Sequence, residues 1–112
     1  MAWDAFDRGW NGWGFYSYFA PRGNPWDDRD AEWASGEDMP DYQMVYPGPT
    51  GPVPTRQSEA VREGWEDYCL LTLLQTQGRA EALKSILADY AAGKPPAELR
   101  LRALKAAEGG AR

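Results

Sequence analysis

The 112-residue chain contains no histidine and a single cysteine, Cys69. Without an imidazole, a cysteine or serine nucleophile lacks its usual activating base, and a lone cysteine forms no internal disulfide. Set among Tyr68, Leu70 and Leu71, Cys69 is expected to be a buried, inert thiol. Basic residues are also few. Twelve Lys and Arg face 17 Asp and Glu, giving a net charge of -5. No broad positive surface is available to neutralise phosphates, so nucleic acid is excluded as the expected partner. Long apolar runs are missing as well: no window reaches the ~18 apolar residues that would mark a membrane span. The opening MAWDAFDRGW carries acids and aromatics where a secretion signal has a basic start and an apolar stretch.

What is present divides unevenly. Five of the six tryptophans and seven of the nine prolines precede Thr55, and the remainder is rich in Ala, Leu, Glu and Arg. AWDAFDR, residues 2–8, has the spacing of a helix end, with Gly9 as its stop. Trp13 to Phe19, WGFYSYF, is dense in aromatics and closed by Pro21, the signature of a strand. Trp13, Phe15 and Phe19 fall on one side of that strand and Tyr16 and Tyr18 on the other. A strand apolar on both faces is expected to lie buried between neighbours that supply its hydrogen bonds.

From Ala20 to Pro54 little periodicity is visible. The acidic block Asp27 to Asp41 holds seven acids and one arginine. It lacks the alternating ligands and closing glutamate of a calcium loop, so Asp27, Asp28, Asp30, Glu37 and Asp38 read as a solvated loop. Helix resumes near Thr55 or Ser58, where hydroxyls and Glu59 can serve the free amides of a first turn. Val61, Trp65, Tyr68 and Leu71 or Thr72 follow the rhythm of a buried face. Two more helices are expected: Arg79 to Ala91, stopped by Gly93 and Pro95-Pro96, and Ala97 to Glu108, stopped by Gly109-Gly110. No cofactor or metal site is visible.

Taken together, GWGFYSYF, Asn24-Pro25-Trp26, Val45-Tyr46-Pro47-Gly48 and the run from Pro54 to Leu74 resemble the C-terminal end of the catalytic barrel in family 123 glycoside hydrolases and their uncharacterised relatives. Arg62-Glu63-Gly64 stands for that family's R-D-G step, and Glu66-Asp67-Tyr68 matches its E-D-Y. The resemblance covers about residues 2 to 75. It implies a fragment of a (β/α)8 TIM-type barrel, mostly α-helical as given, with one or two short strands and a long aromatic and proline-rich loop. Residues 1–76 would supply the last strand, rim loop and last helix of a barrel that takes ~250 residues in all. Residues 77–112 would form a helical extension. The missing N-terminal part of the barrel then becomes a possible partner.

The same resemblance implies an N-acetylhexosaminidase-like parent and a carbohydrate partner. Tyr16, Tyr18, Asn24, Trp26 and Tyr46 would belong to the sugar-binding rim, because pyranose C–H faces stack on aromatic planes while hydroxyls need polar partners. Tyr16 stands where the family usually has tryptophan, and Asn24 where aspartate is common. Substrate-assisted cleavage in this family uses an adjacent Asp-Glu pair. No Asp-Glu dipeptide occurs in the sequence, so no catalytic acid or base is assigned and the chain alone is expected to be inactive. The acids and arginines from Arg56 to Asp67 are expected to anchor a helix. A second reading is a small glycan- or protein-binding module without turnover.

Overall fold

The computed structural model describes residues 2–14, 18–27, 30, 36 and 42–109. In chain order the elements are α1 (Ala2–Asp7), β1 (Phe19–Ala20), β2 (Tyr42–Gln43), β3 (Val45–Pro47), β4 (Pro52–Pro54), α2 (Arg56–Thr76), α3 (Ala80–Ala91) and α4 (Pro96–Glu108). They fall into two compact units, one of Met1–Trp13 with Glu63–Arg112 and one of Gly14–Arg62. No helix among the described residues is long and apolar enough to cross a membrane.

The first unit is helical. Apolar residues at helical spacing from each segment build its core: Trp3 of α1, Leu71 and Leu74 of α2, Leu83 and Ile86 of α3, and Leu99 and Ala103 of α4. Leu71, Leu74 and Leu99 are fully buried. Gly9 and Gly93 end α1 and α3 with φ of 67° and 88°. The amide of Gly9 donates to Phe6 and that of Trp10 to Ala5, and Gly93 and Lys94 donate likewise to Tyr90 and Asp89. This pairing satisfies carbonyls left open at a helix end and requires the left-handed conformation glycine adopts cheaply. Pro96 begins α4, where its missing N–H costs nothing.

Among the described residues of this unit, one charge is buried. Asp67, only 3% exposed, accepts from Trp3 Nε1 at 2.8 Å and from Arg100 Nε at 2.5 Å and Nη2 at 3.0 Å. A buried carboxylate is tolerated when its oxygens are paired in this way. The hydrogen bond to Asp67 raises the pKa of Arg100, with Glu63 adding to the effect. At the α3–α4 junction Asp89 accepts from Arg102 and pairs with Lys94 at 3.0 Å. The Arg102 hydrogen bond, followed by that of Lys94, holds the Asp89 carboxyl below its ordinary value.

Among its described residues the second unit contains two separate two-stranded antiparallel sheets. In one, Phe19 is opposite Gln43 and Ala20 opposite Tyr42. In the other, Val45 faces Pro54, Tyr46 faces Val53 and Pro47 faces Pro52, closed by the turn 48–51. Thr55 joins this hairpin to α2. Its hydroxyl accepts from the Ser58 amide at 3.2 Å, and Ser58 Oγ accepts from the Thr55 amide at 2.9 Å. This is a reciprocal cap with serine in place of the usual Glu or Gln. Thr55 Oγ1 also donates to the Met44 carbonyl at 2.8 Å.

These observations overturn the barrel-fragment expectation. A barrel strand is parallel to its neighbours and buried, whereas the described strands are two or three residues long and pair antiparallel within the chain. The strand expected over Trp13 to Phe19 is confined, among the described residues, to Phe19–Ala20, and Phe15, Tyr16 and Ser17 lie outside them. The neighbour thought to be missing is internal: Tyr42–Gln43 pairs with β1, and the Met44 amide donates to the Tyr18 carbonyl at 2.7 Å.

The buried face of α2 also differs from the sequence reading. Asp67, Leu71 and Leu74 point inward, while Trp65 is 57% exposed. Cys69 is exposed rather than buried, because with Leu71 and Leu74 inward, residues 65, 69 and 73 fall on the opposite side. Arg62 pairs with Glu59 at 2.9 Å on the exposed surface.

Candidate functional site

The second unit brings together two of the aromatic residues singled out from the sequence. Trp26 and Tyr46 stack with ring centroids 4.8 Å apart and planes 9° from parallel. Trp26 is nevertheless 58% exposed. An indole with one face against a tyrosine and so much surface open to water is a ready platform for a flat apolar face.

The loop bearing Trp26 is held by local polar contacts. Asn24 Oδ1 accepts from the Trp26 amide at 3.1 Å, and the Asn24 carbonyl accepts from the Asp27 amide at 2.9 Å. This is the side-chain turn that Asn favours. The Asn24 amide in turn donates to Asp30 Oδ2 at 2.5 Å. Asn24 thus positions Trp26 through its own turn, and Asp30 braces that turn. Gln43, almost fully buried, donates from Nε2 to the Pro25 carbonyl at 2.7 Å. The residue preceding Trp26 is thereby tied to β2.

Tyr46 is set by the hairpin. Pro47 and Pro52 face each other across it, and Pro49 and Pro54 lie in the turn and at the end of β4. Fixed φ angles at four positions restrict the conformations available to this segment. On the surface next to Tyr46 lies an open cleft of about 440 Å³, lined by Tyr18, Phe19, Val45, Tyr46, Pro47, Gly48, Gly51 and Pro52. Tyr18 is 55% exposed and Phe19 43%. Phe19, expected in the core, instead lines this cleft.

Of the expected rim residues, Trp26 and Tyr46 are in contact, Asn24 supports the turn at Trp26, Tyr18 shares the cleft with Tyr46, and Tyr16 lies outside the described residues. Asp28, Glu37 and Asp38 of the acidic block are outside them too. Gln43 and Phe19 were not expected at this site. The alternation of prolines on either side of Pro49-Thr50-Gly51 was the available signal for the hairpin wall.

A second aromatic group belongs to the helical unit. Trp13 contacts Trp65 and Tyr68, each at 5.4 Å between centroids, and Tyr68 meets Phe6 edge-on at 5.5 Å. The Tyr68 hydroxyl donates to the Trp10 carbonyl at 3.0 Å. Trp13 is half-buried. Here the rings cover one another and fasten the chain after α1.

Among the described residues no three His, Cys, Asp or Glu side chains gather as they would around a metal ion. Comparison of the chain with protein-family models, with curated proteins and with solved structures returns no match.

Proposed function

We propose that the Gly14–Arg62 unit binds carbohydrate, contributing aromatic contacts to a glycan and no catalytic acid or base. The observation that carries this reading is the parallel Trp26–Tyr46 stack with Trp26 largely open to solvent. A pyranose ring has a flat C–H face that packs on an indole, and the stack holds that indole in one orientation before the sugar arrives. The turn made by Asn24 and the hairpin beneath Tyr46 add to this preorganisation. Trp26 and Tyr46 belong to the motifs that resemble family 123 glycoside hydrolases, which supports an N-acetylhexosamine as the sugar.

The test is calorimetric titration of the chain with oligosaccharides of N-acetylglucosamine. Trp26→Ala and Tyr46→Ala are each expected to weaken binding about tenfold, equivalent to about 1.4 kcal/mol. Unchanged affinity in both variants overturns the proposal. The same sugars are expected to be recovered intact after prolonged incubation.

A further inference from the structure

Helix α4 turns one apolar strip to solvent. Leu99 and Ala103 are buried in the core, and helix phase sets Ala97, Leu101, Leu104 and Glu108 on the side away from them. Leu101 is 61% exposed and Leu104 42%. Ala97, Glu98, Lys105 and Glu108 are exposed as well. The strip has the spacing of a short coiled-coil seam, with Leu101 at an a position and Leu104 at a d position, and both Glu98 and Lys105 fall at e along one flank. Neither of these two has an ion-pair partner among the described residues. The other flank carries Arg100 at g.

We propose that this strip is where α4 pairs, antiparallel, with α4 of a second copy of the chain. The charge pattern selects both the occupant and the direction. A two-fold axis relating antiparallel helices sets e against e, so each Glu98 meets the partner's Lys105 and the ion pair forms twice. The same arrangement seats Leu101 beside the partner's Leu104, and Glu108 beside the first turn of the partner's α4. That turn has no side-chain cap, and its open amides and dipole favour an anion. A parallel pair would instead set g against e, bringing Arg100 against the partner's Lys105, two cations. A helix of 13 residues makes a small seam, so the dimer belongs to the weak, reversible class. The inference is independent of the carbohydrate reading.

Sedimentation equilibrium of the full chain tests it. The expected dissociation constant is about 0.3 mM, giving monomer at about 10 µM and mostly dimer at about 2 mM. Glu98→Lys and Lys105→Glu are each expected to weaken dimerisation about tenfold and Leu101→Ala to abolish it, with the fold of each variant checked by circular dichroism. Combining Glu98→Lys with Lys105→Glu exchanges the charges and is expected to restore the parent's constant to within about twofold. A chain still monomeric at about 2 mM overturns the inference. Single reversals that leave the constant unchanged, or a double reversal as weak as the singles, overturn it too. Tighter association in Lys105→Glu would indicate the parallel pair and overturn the antiparallel one.

Discussion

The indole N–H of Trp3 donates to the carboxylate of Asp67 at 2.8 Å, although 64 positions separate them in the chain. Arg100 reaches the same carboxylate from α4. One acid therefore joins α1, α2 and α4. Asp67→Ala leaves a buried indole donor without an acceptor and Arg100 without its main partner. With Arg100 partly open to solvent, the expected cost is about 2–4 kcal/mol, read as a lowered midpoint in urea unfolding. A midpoint equal to the parent's would show that these contacts contribute nothing net.

Leu99 is fully buried between helices in the core of the helical unit. Leu99→Ala removes buried methyl groups and leaves a cavity, with an expected loss of about 2–5 kcal/mol. The neighbouring exposed positions provide the control. Leu101→Ala, at a side chain 61% exposed, is expected to change stability by less than about 0.5 kcal/mol.

The depressed pKa of Asp89 links stability to acid. Its ordinary value is 3.8, and its partners Arg102 and Lys94 lower it in the folded chain. A lowered folded pKa means that the contribution is complete above 3.8 and fades as pH falls through the folded value. Asp89→Asn should therefore melt below the parent at neutral pH, with the gap closing as pH drops from about 5 to about 2. A gap of constant size across that range would assign the effect to something other than the carboxylate charge.

Cys69 lies on the outward side of α2 between exposed Trp65 and Leu73. The thiol is expected to react completely with a disulfide reagent such as dithionitrobenzoate in native buffer, at a rate close to that in denaturant. Protection lifted only by denaturant would place it in the core.

The helices were legible because their ends are written locally. Gly9, Gly93 and the Pro95-Pro96 pair are stop signals acting over a few residues, and α1, α3 and α4 end or begin beside them. The inward face of α2 was legible only in part, at Leu71. Tyr68, Leu70 and Leu71 around Cys69 suggested burial, but helix phase turns Cys69 outward and brings in Asp67, whose partners Trp3 and Arg100 are remote in sequence. No local pattern announces a charge compensated from that distance. The strands failed for a different reason. A two-residue strand such as Tyr42–Gln43 is too short to show alternation, so the partner of β1 stayed hidden in a stretch that looked aperiodic. For the site, the Trp26 and Tyr46 motifs were visible as residues, but their mutual stacking depends on the Asn24 turn and the proline hairpin.

The placement of Thr55 has a mechanical outcome. Its hydroxyl is shared between the start of α2 and the Met44 carbonyl just ahead of β3. Unwinding of the first helical turn would cut a strut under the strand carrying Tyr46, so fraying at the helix start and slackening of the strand become one event. Amide hydrogens at Ser58 and at the Tyr46 strand should then exchange in concert, and a Thr55→Val change, by removing the shared strut, should let the two segments open independently of each other.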